Sequence, residues 1–239
     1  FSLIDICILD SEKKIKIIEA IDLNNAKLCN EKASRYSNLH ERIRNICYQK
    51  NQTPDLLIGN CPKIVGILNI TEDSFYDGKK YFDTNKAINH AYKLIKEGAD
   101  IIDIGGESTR PGASPISHNE EIMRILPVVK ELHKQNIIIS CDTRNSMTME
   151  KVLDEGVQII NDVSSLNYDI NTLNVIKKYN CYYVLMHSVK TPETMQINPK
   201  YENVVTELYK FFLKKIQIIK ELKINCKKII IDPGIGFGK

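Results

Sequence analysis

The sequence predicts an α/β fold of the parallel kind, a TIM (β/α)8 barrel carried as far as its sixth strand, with an N-terminal extension. Three observations predict it. Six apolar runs recur between Ile64 and Asp232, each ending on a polar side chain. Most are separated by stretches with helical apolar spacing, so the repeating unit is strand, helix, parallel strand. The first run leads into Asn69-Ile70-Thr71-Glu72-Asp73-Ser74-Phe75 rather than a Gly-x-Gly-x-x-Gly turn, which disfavours an open doubly wound sheet.

Taken in order, the first sixty residues differ from the rest. Phe1 to Leu9 and Lys14 to Glu19 are β-prone runs around Asp10-Ser11-Glu12-Lys13, the pattern of a hairpin. Leu28, Leu39, Ile43, Ile46 and Cys47 fall at helical spacing within Ala26 to Tyr48, and Lys50 to Pro54 has the composition of a linker. The expected division is residues 1–60, an N-terminal extension or a linker from an upstream domain, and residues 61–239, the barrel.

The predicted strands are Ile64 to Leu68, Ile101 to Gly106, Ile137 to Cys141, Val157 to Ile160, Cys181 to Met186 and Ile229 to Ile231. They are continuous apolar runs, as strands covered on both faces must be. The predicted helices are Lys86 to Glu97, Glu120 to Gln135, Ser146 to Glu155, Ile170 to Tyr179 and Tyr201 to Leu222. Thr84 precedes the first as a cap, Gly98 and Gly156 stand at stops, and Asn145 or Ser146 caps the third. Pro127 predicts a kink or break in the second. The chain begins without methionine and stops in the glycine-rich turn Asp232 to Lys239, so a fragment of a longer polypeptide is expected, with the last two β/α units absent.

Composition narrows the function. Thirty-three basic and 30 acidic residues leave a net charge of +3, evenly mixed, which argues against nucleic acid or a membrane surface as the main partner. No apolar run approaches the ~20 residues that span a bilayer. Seven scattered cysteines, with no close pair, suit a reducing compartment: the cytoplasm is expected, with an organelle left open.

Parallel strands place their C-terminal ends on one rim, where such folds bind ligands. Asn69, Glu107, Asp142, Asn161, His187 and Asp232 end the six runs there. Asp and Asn at these positions also cap helices, so each alone says little. Together, Asp142, Asn161 and Asp232 suit a ligand rich in N–H donors, because buried carboxylates are costly without such bonds. A 2-amino-4-oxo pyrimidine edge, as in a pterin or guanine, offers an amino group beside a ring N–H. After the second strand, Gly105 and Gly106 permit close approach, and Thr109 and Arg110 suit phosphate oxygens.

At this point the chain resembles the dihydropteroate synthase family of pterin-binding TIM barrels. The resemblance covers Ile64 to Lys239 and rests on Gly66 to Thr71 with Asp73-Ser74-Phe75 and Asp77-Gly78, on Asp103 to Ala113, on Asp142-Thr143, on Ile159 to Val163 and on Asp232 to Lys239. It implies condensation of 4-aminobenzoate with 6-hydroxymethyl-7,8-dihydropterin pyrophosphate, giving 7,8-dihydropteroate and pyrophosphate. By matching positions it implies Asn69 as a ligand of Mg²⁺ on the pyrophosphate, and Asp142, Asn161 and Asp232 as the pterin set, with Met186 against the ring. Thr109 and Arg110 resemble the residues that engage pyrophosphate, Phe237 resembles a wall of the aminobenzoate pocket, and Asp142 and Arg110 are the pair expected to carry catalysis. Cys141 and His187 are expected to pack and to support, not to attack.

The resemblance admits a homodimer and a fusion to a hydroxymethyldihydropterin pyrophosphokinase. It departs from the family at Glu72, Tyr76 and Lys79, and at Ser188-Val189-Lys190. The family's Ser-Arg-Lys and Arg-x-His segments lie beyond Lys239, so the chain alone is expected to be inactive. Two alternatives remain open: a non-catalytic pterin-binding barrel within a multifunctional folate protein, and a pterin-dependent corrinoid methyltransferase, against which stands the absence of an Asp-x-His-x-x-Gly signature.

Overall fold

A computed structural model describes Leu3–Leu9, Ile15–Asp22 and residues 62–71, 83–108, 115–188 and 201–236. It divides into two compact units, Phe1–Ile58 with Tyr201–Val204, and Gly59–Lys200 with Val205–Lys239. In the first unit, β1 (Leu3–Leu9) and β2 (Ile15–Asp22) pair antiparallel, with a register irregularity between Ile6 and Cys7. The helix expected at Ala26 to Tyr48 and the linker at Lys50 to Pro54 lie outside the described residues.

In the second unit six strands form one parallel sheet in strict chain order. They are β3 (Val65–Asn69), β4 (Ile101–Gly105), β5 (Ile138–Asp142), β6 (Ile159–Asp162), β7 (Tyr182–Met186) and β8 (Ile229–Asp232). The helices between them are α1 (Thr84–Lys96), α2 (His118–Lys134), α3 (Ser146–Asp154), α4 (Thr172–Tyr179) and α5 (Val204–Glu221). Strands laid down side by side in sequence, each returning through a helix, are the (β/α)8 arrangement through its sixth strand. Among the described residues β3 and β8 are paired on one side only.

The period-two alternation of each strand sorts its residues between the helices and the barrel interior. Leu68, Ile102, Ile104, Ile139, Cys141, Ile160, Tyr183 and Leu185 face the helices and are fully buried. They pack against Ala87 and Ala91 of α1, Ile125, Val128 and Leu132 of α2, Met149 and Val152 of α3, Ile176 of α4, and Phe212 and Ile219 of α5. Burying a side chain of Leu or Ile size contributes roughly 1.5–3 kcal/mol, so this layer carries the unit.

Two details correct the sequence reading. The cap of α1 is Asp83, whose carboxylate accepts from Lys86 N at 3.1 Å, and Thr84 is the first helical residue. Asp reaches the backbone N–H groups of the first turn as readily as Thr. Pro127 sits inside α2 without interrupting it. The carbonyl it deprives of a bond belongs to Met123, which is exposed and can turn to water, while Ile125, Val128, Val129 and Leu132 hold the turn by burial. Among the described residues no helix is long and apolar enough to cross a membrane.

Candidate active site

The register builds the mouth. Asn69 lies opposite Gly105, Gly105 opposite Asp142, and Asp142 opposite Asn161, so one rung crosses four strands. Glycine leaves room in that rung: a Cβ on Gly105 would stand 3.3 Å from Asn69 Oδ1 and 3.6 Å from Asp142 Cβ. Asn69 and Asp142 share the space that the missing side chain leaves. Two strands further round the arc, Asp232 lies opposite Met186. Asp232 Oδ1 accepts from Gly234 N at 2.7 Å, which turns the chain at the rim, and the Asp232 carbonyl accepts from His187 N at 2.8 Å.

One rung deeper, Asp103 lies opposite Ser140. Asn161 Nδ2 donates to Asp103 Oδ2 at 3.0 Å, and among the described residues the buried Asp103 Oδ1 has no hydrogen-bond partner. Spacing alone does not single out Asp103, but the signal is present as a carboxylate interrupting Ile101-Ile102-Asp103-Ile104. A side chain that breaks an otherwise buried apolar strand needs a polar reason.

The backbone around these groups is tightly tied. After β6 the chain turns through Ser165 and Leu166, both at φ 62°. Asp162 accepts from Ser164 N at 2.7 Å, Leu166 N at 3.2 Å and the Tyr183 hydroxyl at 2.5 Å. The buried Ser165 hydroxyl donates to the Met186 carbonyl and accepts from Ser188 N. These bonds stabilise the left-handed pair and join the ends of β6 and β7, which fixes Asn161 relative to Met186.

A second tie joins β4 to β5. Glu107 and Arg144 form a buried fork, with Arg144 Nε 2.9 Å from Oε2 and Nη2 3.0 Å from Oε1, and the guanidinium lies 4.2 Å from the Tyr168 ring centroid. Fully buried Glu121 of α2 accepts from Asn145 Nδ2 at 2.8 Å and Thr148 Oγ1 at 2.6 Å. Asn145, expected to cap α3, is thereby turned away. Ser146 N instead donates to Asp169 Oδ2 at 2.9 Å, a cap supplied from the segment before α4.

Acidic groups crowd the mouth. Burial, and then the charges of Asp103, Asp162, Glu121 and Glu107, hold the Asp142 carboxyl well above its usual range. Burial raises Asp103 too, eased by Ser140 and Asn161, and raises Glu121 against the bonds from Thr148, Asn145 and Thr143. The Cys141 thiol is pushed well up by burial, with Glu121, Asp103 and Asp142 adding to it, so it stays a protonated packing group. His187 is buried against α5, its ring edge-on to Phe211 with centroids 4.7 Å apart.

Of the residues expected from sequence, Asn69, Asp142 and Asn161 are therefore gathered in one rung. Met186 and Asp232 form the adjoining pair, with Met186 buried. Thr109, Arg110 and Phe237 lie outside the described residues.

The chain matches a known family over most of its length. A family profile described as Pterin binding enzyme matches residues 65–239, and the chain belongs to that family. The dihydropteroate synthase of Neisseria meningitidis serogroup B is 45% identical over 179 residues, covering 74% of this chain and 63% of the relative. The chain thus spans less than two thirds of that relative's length. Dihydropteroate synthase of Xanthomonas albilineans with 4-aminobenzoic acid is 37% identical with TM-score 0.67, covering 75% of this chain and 64% of that one. The same enzyme in complex with 7,8-dihydropteroate gives 33% identity and TM-score 0.64, covering 75% and 63%.

Proposed function

We propose that the protein acts as a dihydropteroate synthase, joining 4-aminobenzoate to 6-hydroxymethyl-7,8-dihydropterin pyrophosphate with release of pyrophosphate. The observation that carries this reading is the inner rung of Asn69, Gly105, Asp142 and Asn161, with Asp232 beyond it. Its acceptors match the donor edge of a pterin, and the related enzyme of Xanthomonas albilineans binds both 4-aminobenzoic acid, one half of the product, and 7,8-dihydropteroate, the product itself.

The bond that forms joins the amine nitrogen of aminobenzoate to the methylene carbon of the pterin, and the bond that breaks is from that carbon to a pyrophosphate oxygen. The amine gives up one proton. Asp142, Asn161 and Asp232 hold the ring edge, and Met186 packs against its face. Positive charge developing on the methylene is conjugated with the ring, and a carboxylate at Asp142 favours it. Because burial and the acidic surroundings raise the Asp142 carboxyl, a donor-rich ligand that gathers positive charge is the group that stabilises its charged form. Thr109 and Arg110 take the pyrophosphate, and Phe237 lines the aminobenzoate pocket, by resemblance of their segments.

Magnesium fits this mouth only in company. Asn69 Oδ1 is a hard oxygen donor, exposed at the edge strand, but among the described residues no cluster of three acidic, histidine or cysteine side chains could hold a metal. Asn69 would bind Mg²⁺ together with phosphate oxygens, the usual manner of that ion, and the ion would neutralise charge on the leaving pyrophosphate.

Assay of dihydropteroate formation by Asp232→Asn in the complete protein tests the reading. A fall of about a hundredfold is expected where a paired acceptor is lost from a desolvated site. Undiminished synthesis would reject the assignment of the pterin edge.

A further inference from the structure

A barrel interior is normally filled by layers of apolar side chains. Here the layer beneath the mouth contains a carboxylate: Asp103 is 8% exposed, lies opposite Ser140, and accepts a hydrogen bond from Asn161 in the layer above. Burial of such a group is costly unless something is gained from it. The packing of the helices cannot be that gain, because Asp103 is on the interior face while its neighbours Ile102 and Ile104 face the helices.

The gain lies in the Asn161 amide. An asparagine side chain is nearly symmetric in shape, and rotation by half a turn exchanges its donor and acceptor. A carboxylate oxygen can only accept, so Nδ2 must turn down toward Asp103. Oδ1 is then directed away from the lower layer, toward the mouth. We infer that Asp103 is a positioning residue that locks the Asn161 amide with its oxygen presented to the ligand, and thereby makes the site select rings that offer an N–H donor over rings that offer an acceptor.

This inference rests on the pterin reading above and adds the source of its selectivity. Freed from Asp103, the Asn161 amide rotates and satisfies either kind of ring edge. Affinity for the donor ring then falls, and discrimination falls with it. A residue with a purely architectural role would change stability without changing the preference.

Equilibrium fluorescence titration with 6-hydroxymethylpterin and 6-hydroxymethyllumazine, in which an oxygen acceptor replaces the amino donor, decides between these. The protein is expected to prefer the pterin. Asp103→Leu should reduce the ratio of the two affinities about tenfold, the scale of one buried hydrogen bond, while Asp103→Asn, whose carbonyl still accepts from Asn161 Nδ2, should retain most of it. Should Asp103→Leu fail to fold, an Asp103→Ser variant with a shorter, rotatable acceptor takes its place and should show an intermediate ratio. A ratio unchanged in the folded variant overturns the inference and leaves the pterin reading standing. Failure of the unsubstituted protein to bind either ring overturns both.

Discussion

The centre of the arc and its two edges are built differently from the same repeating unit. In the centre, β4, β5 and β6 are covered on both sides and joined by the Glu107–Arg144 fork, the Asp103–Asn161 bond and the Glu121 cluster. At the edges, Ile67 of β3 is 64% exposed and Ile231 of β8 is 48% exposed. Asn69 and Asp232 are presented from those edges. Among the described residues the difference is one of support: the central groups sit on strands paired on both sides, whereas Asn69 and Asp232 sit on strands paired on one.

The largest effect should come from the central fork. Arg144→Ala leaves a buried Glu107 without its partner, a change that costs about 3–5 kcal/mol. Replacing both, as Glu107→Gln with Arg144→Met, should recover most of that loss, since no lone charge remains. Urea denaturation checks both variants, and a loss in Arg144→Ala well under 1 kcal/mol would place the fork with the weak surface pairs instead.

Next comes Gly106, where β4 leads into the mouth. A Cβ there would meet Ile125 Cγ2 at 2.8 Å, Glu121 Cγ at 3.0 Å and the Glu121 carbonyl at 3.3 Å, all on α2. The Gly106 carbonyl also accepts from Arg124 Nη1 at 3.2 Å. Helix backbone cannot yield cheaply, so Gly106→Ala should cost about 1–3 kcal/mol by the same measurement.

Acidity separates the centre from the edges as well. The Asp142 carboxyl is raised in the folded protein, so its contribution to stability is fully present below the ordinary value of 3.8 and is lost as pH rises through its folded value. Asp103 and Glu121 act in the same direction. Asp142→Asn should therefore stabilise the protein at neutral pH by about 1 kcal/mol and flatten the decline with pH, while weakening pterin binding. Thermal unfolding across pH 4 to 8 reads this, and a variant less stable than the parent at pH 7 would contradict it.

The sequence made the strands legible because both faces of each are covered, so continuous apolar runs and their polar ends stand out. The polar ends that gather at the mouth were legible for the same reason: Asn69, Asp142, Asn161 and Asp232 are each the last residue of a run or next to it. What periodicity could not show is which partners meet across the barrel. The Arg144 side chain reaches Glu107, 37 residues away, and Asn161 reaches Asp103, 58 residues away. Caps supplied from another segment are hidden likewise, as with Asp169 on the Ser146 N–H, because only the fold brings donor and acceptor together.

Gly105 puts the comparison to its finest test, since it lies in the same strand as its neighbour Gly106 but faces the mouth. An alanine there has as its nearest obstacle not a helix but Asn69 Oδ1, the end of an exposed side chain on an edge strand. Such an atom can move aside by a few tenths of an ångström at little cost, so the change in folding stability should stay below about 1 kcal/mol. The same displacement takes Asn69 from the position in which it would serve the magnesium pyrophosphate. Gly105→Ala should then weaken binding of the pyrophosphate ester severalfold while leaving that of 6-hydroxymethylpterin, which lacks the phosphates, close to the parent's. Equal weakening of both ligands would mean that Asp142, whose Cβ lies on the other side of the glycine, is what moved, and that Asn69 is held more firmly than its edge position implies.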